Sequence, residues 1–291
     1  MQIIPGLSNR QLAMRISQEI GAKLLRVQID NFSDGELRVQ VLDNIGTDVV
    51  IVQSTSTPVN DHLVELLLLA DTAKRAGAKN IIAIIPYFGY SRQDRFTYKY
   101  GPISASLVIK MLEAAGITAV VTLDLHSSQL EGIFNISVTN LSTESIFFPV
   151  LETKENIIIV SPDIGGIVRA RNYSSLLGVD LAIINKSRDT NNACLMSEII
   201  GNVGTKNCII VDDIIDGATT ICMATEILLE HGAKNVEAIV THAVLSGDAI
   251  AKIENSSLKH IYVSDSIYHK KLPSKFTVLP IHQLVGLVAR H

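Results

Sequence analysis

The sequence predicts an α/β fold in which mainly parallel sheets are flanked by helices, and three observations carry that prediction. Short β-branched runs alternate with stretches of helical period, the signature of βαβ units. The length, 291 residues, suits about two domains of ordinary size. The string Gly-Ala-Lys-Asn stands between a predicted helix and a predicted strand both at Gly77–Asn80 and at Gly232–Asn235, which points to two related α/β halves.

Taken in order, Leu63, Leu66, Leu67 and Ala70 follow helical spacing until Ala76-Gly77 stops the helix, and Ile81–Ile85 reads as the next strand. Ile117–Leu123 reads as another strand. The stretch from Leu141 to Glu155 is polar and precedes a fresh strand, Ile157–Val160, so a domain boundary is expected there, with domains 1–145 and 146–291. Strands Leu181–Ile184 and Cys208–Val211 follow. Thr219–Glu230 then reads as a helix, Gly232 as its stop and Val236–Val240 as the strand after it.

Apolar residues make up 47% of the chain and charged residues 19%, a globular balance. No stretch approaches the roughly 18 apolar residues of a membrane-spanning helix, and Met1-Gln2-Ile3-Ile4-Pro5 lacks the pattern of a secretory signal. A cytoplasmic protein with no membrane partner is expected. Lys and Arg number 25 against 29 Asp and Glu, a net charge of −4, which argues against a nucleic-acid partner but leaves room for a local basic pocket. Cys194, Cys208 and Cys222 show no Cys-x-x-Cys pairing, so neither a disulfide framework nor a zinc site is indicated. Cys208, inside an apolar run, reads as a buried small hydrophobe.

In open α/β sheets ligands bind outside the carboxyl ends of the strands, and polar residues gather at five such ends. After Ile85, Pro86-Tyr87-Phe88-Gly89-Tyr90-Ser91-Arg92-Gln93-Asp94-Arg95 offers guanidinium forks suited to phosphate and rings suited to a base. An Arg–Asp surface pair over packed aromatics is the plain structural alternative. After Leu123, Asp124 and His126 lie two apart, which in an extended segment puts both on one side, although a lone histidine is as often structural. After Val160, Ser161-Pro162-Asp163-Ile164-Gly165-Gly166 leads into a helix carrying Arg169 and Arg171. Paired glycines before a helix let the backbone approach an anion, and Asp163 adds a hard oxygen suited to Mg²⁺; an ordinary strand-to-helix turn would use similar residues. After Ile184, the polar run Asn185–Asn192 reads as a mobile loop whose Lys186 and Arg188 close over a phosphorylated substrate, or as solvated surface. After Val211, Asp212-Asp213 followed by Asp216-Gly217-Ala218-Thr219-Thr220 is the most specific of the five. Adjacent carboxylates after a buried strand are costly unless they bind sugar hydroxyls, a metal or donors.

These segments, together with Phe32-Ser33-Asp34-Gly35-Glu36, resemble the ribose-phosphate diphosphokinases, the phosphoribosyl pyrophosphate synthetases, in order and over nearly the whole chain. The resemblance implies two phosphoribosyltransferase-like (type I) domains, the first contributing to the ATP site and the second carrying the ribose 5-phosphate site. It further implies transfer of the diphosphoryl group of ATP to the C1 hydroxyl of ribose 5-phosphate, with Mg²⁺ required. By position, Phe32, Asp34, Gly35 and Glu36 would contact ATP from a neighbouring subunit, and Arg92 and Gln93 would contact ATP in the main site. The implied assembly is a dimer-based homo-oligomer, a hexamer included. His126 and Asp163 match the metal-binding positions, Lys186 and Arg188 the catalytic loop, with Arg188 also on the sugar phosphate. Asp212 and Asp213 match the pair that holds the ribose hydroxyls, and Asp216, Gly217, Ala218, Thr219 and Thr220 occupy the 5-phosphate loop.

This chain departs from the family where the usual Asp-Thr-Gly-Gly-Thr becomes Asp216-Gly217-Ala218-Thr219-Thr220. Any position there that needs positive φ would be strained with Ala or Thr. The chain also has the compact length of the archaeal-type branch, from which weak or absent allosteric inhibition by ADP is expected. Two alternatives stay beside the synthetase reading: an inactive regulatory homologue of the family, which the altered loop favours, and a phosphoribosyltransferase, which would have no use for the two ATP motifs.

Overall fold

The computed structural model describes residues 1–188 and 194–288, and these divide into two compact units. The first comprises Met1–Thr143, Asp265–Tyr268 and the segment from Pro280; the second comprises Glu144–Ser264 and His269–Leu279.

The first unit runs β1 (Gln2–Pro5), α1 (Arg10–Ile20), β2 (Lys23–Leu24), β3 (Val27–Asn31), β4 (Leu37–Val41), β5 (Asp48–Val52), α2 (Val59–Arg75), β6 (Asn80–Ile85), α3 (Ser104–Ala115), β7 (Ala119–Leu123) and β8 (Ser137–Leu141). Its six-stranded sheet has the order β2-β1-β5-β6-β7-β8, and every pairing in it is parallel. Val49 to Val52 are all buried, as expected of a parallel strand covered on both faces, which reads as a continuous apolar run. Leu63, Leu66, Leu69 and Ala70 of α2 share one core with Ala105, Ile109 and Leu112 of α3. β3 and β4 form a separate antiparallel hairpin. Val27, Ile29, Leu37, Val39 and Val41 alternate around the Asp34-Gly35 turn, a hairpin signal in the sequence.

The second unit runs α4 (Glu144–Leu151), β9 (Ile157–Ser161), α5 (Ile167–Leu177), β10 (Leu181–Arg188), β11 (Cys194–Ile200), β12 (Asn207–Ile215), α6 (Thr219–Glu230), β13 (Asn235–Ala243), α7 (Ala249–Asn255), β14 (His260–Ser264) and β15 (Phe276–Leu279); α8 (His282–Val288) then belongs to the first unit. Its sheet order is β11-β10-β9-β12-β13-β14-β15. Without the antiparallel β11, this order repeats that of the first sheet strand for strand.

The two Gly-Ala-Lys-Asn strings fall at equivalent places, between α2 and β6 and between α6 and β13. Gly77 has φ 95° and Gly232 φ 85°, the left-handed conformation that glycine supplies without a Cβ penalty. The next amides reach back alike: Ala78 N to Ala73 O at 3.1 Å and Ala233 N to Leu228 O at 3.0 Å. The lysine amides bond Thr47 O and Lys206 O, each at 2.8 Å. The asparagine side chains donate across to Asp48 and Asn207 at the starts of β5 and β12.

Three expectations are corrected. The polar boundary segment contains α4, because Phe147 and Leu151, four residues apart on one helical face, are fully buried. β10 continues past Ile184 through Arg188, since its backbone pairs with β11 from Ile183↔Ile200 to Arg188↔Cys194; Asn185 to Arg188 are therefore strand, not loop. β12 does not end at Val211 but runs on through both aspartates, paired with β13 as far as Ile215↔Ala243. Cys208 is fully buried, and burial pushes its thiol up to about 12.

Candidate functional site

In the second unit the pairing of β12 with β9 stops at Ile210↔Val160, and the β9 chain turns away into the predicted anion cradle. Ser161 Oγ donates to the Asp163 carbonyl at 2.7 Å, and Asp163 Oδ1 accepts from Gly166 N at 3.0 Å. A Cβ on Gly166 would lie 2.9 Å from Ser161 Oγ, so any side chain there would push the Ser161 hydroxyl off its bond to the Asp163 carbonyl. α5 starts at the next residue; the Ile167 amide donates back to Ile164 O at 3.4 Å, and the helix N-terminus faces the turn with its positive dipole end.

Because β9 has left, Asp212 and Asp213 have an open edge, and Arg169 from the first turn of α5 fills it. Its Nη1 lies 3.2 Å from Asp213 Oδ1 and 3.6 Å from Asp212 Oδ1. The Asp213 amide also donates to Asp212 Oδ1 at 2.9 Å. Burial, then the neighbouring Asp213 charge, pushes the Asp212 carboxyl up to about 8, while Arg169 pulls the other way. Asp213 is 4% exposed.

Downstream, Asp216 is half-buried, whereas Gly217, Thr219 and Thr220 are exposed. Ala218 precedes α6 in the left-handed conformation, φ 62° and ψ −2°. Gly217 has no positive φ and open space where a Cβ would be, so this loop's glycine sits one position before the residue that needs it. Lys252 of α7 pairs with Asp248 at 2.9 Å and reaches the Gly217 carbonyl at 3.5 Å.

In the first unit, Phe32, Asp34, Gly35 and Glu36 form the tip of the β3–β4 hairpin. Phe32 N donates to Glu36 O at 2.8 Å, Glu36 N to Asp34 Oδ1 at 3.1 Å, and Gly35 adopts φ 96°. Phe32 is 49% exposed, with the Arg38 guanidinium 5.3 Å over its ring and that guanidinium itself held by Asp30 through two 2.7 Å bonds. The loop after β6 combines both readings of its residues. Arg95 is a surface partner of Asp94 at 2.8 Å, and Tyr87 and Phe88 are buried. Gln93 is instead tied to the start of α3, its Oε1 accepting from Ser104 Oγ at 2.6 Å and its carbonyl from Ala105 N at 3.2 Å, beside the exposed Arg92. Gly89 lets this loop close, since a Cβ would lie 2.4 Å from Thr55 O.

Asp124 and His126 do not share the extended alternation expected of them. Asp124 has φ 35°, its carboxylate accepts from the Thr143 hydroxyl, and His126 is exposed. Lys186 and Arg188 have their backbones in β10, but their side chains lie outside the described residues, as does the rest of the predicted loop, Asp189 to Asn192. Mg²⁺ usually keeps several waters and is bound by one or two carboxylates plus substrate phosphates. Among the described residues no group of three or more His, Cys, Asp or Glu would cage an ion. Asp163, a hard oxygen donor beside an anion cradle, fits a metal that arrives with phosphate. Arg169 is legible in the sequence only as a cation on the helix after the paired glycines, with no local signal for its partners in β12. Among the described residues no helix is long and apolar enough to cross a membrane.

Two mainly parallel sheets that share one strand order, with a carboxylate pair on the open edge of β12 and an anion cradle after β9 in the second, define an α/β phosphate-ligand protein of duplicated architecture. Residues 1–116 match the family model for the N-terminal domain of ribose phosphate pyrophosphokinase, and residues 195–290 match that for the phosphoribosyl synthetase-associated domain. The chain is 44% identical over 291 residues to a ribose-phosphate pyrophosphokinase of Thermosipho africanus, covering 98% of this chain and 92% of that protein. It is 46% identical over 280 residues to the one of Bacillus cereus, covering 95% and 87%. The crystal structure of phosphoribosylpyrophosphate synthetase from Mycobacterium smegmatis superposes with a TM-score of 0.93 at 32% identity, covering 99% of this chain and 97% of that one. The chain belongs to the ribose-phosphate pyrophosphokinase family, and its two units have that family's phosphoribosyltransferase-like fold.

Proposed function

We propose that the residues described above carry the reaction of this family, ATP + ribose 5-phosphate → AMP + 5-phosphoribosyl 1-diphosphate, with Mg²⁺ as cofactor. The observation that carries the assignment is the carboxylate pair Asp212–Asp213 at the open edge of β12, next to the glycine-closed turn of Asp163–Gly166.

In this reading Asp212 and Asp213 accept hydrogen bonds from the ribose hydroxyls, and the amides and hydroxyls of Asp216 to Thr220, at the α6 N-terminus, receive the 5-phosphate. Arg188 adds charge to that phosphate. The C1 oxygen forms its bond to the β-phosphorus of ATP as the bond from that phosphorus to the α-phosphate oxygen breaks; the C1 hydroxyl proton is released and AMP leaves with the bonding electron pair. Lys186 and Arg188 neutralise the phosphoryl oxygens as charge moves toward AMP, which is mainly positioning and electrostatic work. Arg92 and Gln93 bind ATP, Gln93 being oriented by Ser104. Phe32, Asp34, Gly35 and Glu36 serve the ATP site of a neighbouring subunit in a homo-oligomer. Asp163 in the second unit and His126 in the first, each taken by itself, are the candidates for contact with Mg²⁺, which, when bound with the nucleotide, would supply charge neutralisation on the diphosphoryl group. The unit from Glu144 to Leu279, apart from the stretch that belongs to the first unit, thus carries the sugar site and the first unit the nucleotide site.

The test is AMP formation from ATP and Mg²⁺ with and without ribose 5-phosphate. Sugar-dependent AMP, matched by the sugar diphosphate in phosphorus NMR and lost in Lys186→Ala, is the expected result. ATP cleavage indifferent to the sugar, or none at all, would overturn the proposal.

A further inference from the structure

Arg169 occupies a position that local chemistry disfavours. It stands in the first turn of α5, where the positive end of the helix dipole repels a cation, and α5 has no acidic residue in that turn to offset it. Its compensation comes from the neighbouring strand: two carboxylates within 3.6 Å. Side-chain exposure at the contact is 21% for Arg169, 25% for Asp212 and 6% for Asp213, so solvent screens the cluster little.

We propose that Arg169 is a positioning residue for the sugar site: by bridging Asp212 and Asp213 it holds both as oriented acceptors for the ribose hydroxyls. The inference rests on the assignment of that pair to ribose. The geometry gives each partner a distinct part. Asp212 Oδ1 accepts from the Asp213 amide at 2.9 Å, and the guanidinium Nη1 stands 3.6 Å from that same oxygen. Asp213 Oδ1 takes the shorter contact. Arg169 also stands three residues after Gly166, so the same short segment closes the anion turn and sets the sugar acceptors. A planar fork has directions that a lysine ammonium lacks, and Lys at this position should therefore keep the charge while loosening the orientation.

The experiment is steady-state kinetics on the full chain, with KM for ribose 5-phosphate, KM for ATP and kcat measured separately for the parent, Arg169→Lys and Arg169→Met, beside melting curves. A positioning role raises KM for ribose 5-phosphate about tenfold or more in Arg169→Met, leaves KM for ATP within about twofold and is partly reversed in Arg169→Lys. If Arg169→Met fails to fold, Arg169→Lys carries the test alone through its selective rise in sugar KM. Unchanged sugar KM in a folded variant, equal rises for both substrates, or a lysine variant as impaired as methionine would overturn the inference. An inactive parent would instead count against the assignment of the reaction.

Discussion

Ala218 is the residue at which this chain works against its own backbone. A non-glycine side chain in the left-handed region costs roughly 1–2 kcal/mol, and Ala218 sits there at φ 62° while buried. Ala218→Gly relieves that strain and gives back part of it as unfolded-state entropy, so a net gain of about 0.5–1 kcal/mol is expected. A rise in urea midpoint at unchanged slope would show it; an unchanged midpoint would mean the loop bears no strain. Asp212 supplies a second expectation. With its carboxyl raised to about 8 by burial and Asp213, the folded, ligand-free chain binds that proton more tightly than the unfolded one, whose carboxylate titrates near about 3.9. The associated stability is complete below about pH 4 and lost as pH climbs through the raised value. Urea midpoints should therefore fall between about pH 4 and pH 8 and flatten over that window in Asp212→Asn. Equal slopes in both proteins would remove Asp212 as the cause.

At the scale of elements, the matched helix-to-strand turns predict matched costs. Gly77→Ala and Gly232→Ala each force a Cβ into the left-handed region with no closer than ordinary contact around it, so each should cost about 1 kcal/mol in denaturant titrations. A marked difference between them would show that the turns are alike in shape alone. The repeated Gly-Ala-Lys-Asn made this equivalence legible in the sequence, as did α6, whose bounds match the helical period. What escaped was set by partners distant in the chain. Asn185 to Arg188 carry no apolar alternation and become strand because β11 lies beside them; Asp212 and Asp213 stay in β12 because β13 continues to pair. Asp124 and His126 were expected to converge, and the positive φ of Asp124, at a residue carrying no glycine-like signal, prevents the alternation that expectation needed. Arg169 was unassigned because its partners lie 43 and 44 positions away, at Asp212 and Asp213.

For the molecule as a whole, the first unit is completed by residues from the far end of the chain. Asp265 accepts from Ile281 N at 2.8 Å and pairs with Arg15 at 3.0 Å, its carbonyl accepts from Asn9 Nδ2 at 2.7 Å, and the Ser266 carbonyl accepts from Ser54 Oγ. Ile281 and Val285 are fully buried. Asp265→Ala removes the acceptor of a buried amide and should cost about 2 kcal/mol. Hydrogen exchange should then quicken in α1 and α8 before β12 and β13; uniform acceleration everywhere would show that the return segment stabilises no unit in particular.

That return segment also bears on synthesis. The ribosome delivers α1 early, yet α8 is translated only after the whole of the second unit, so the face of the nascent first unit that waits for Asp265 and Ile281 stays open throughout. The unit translated first is therefore finished last.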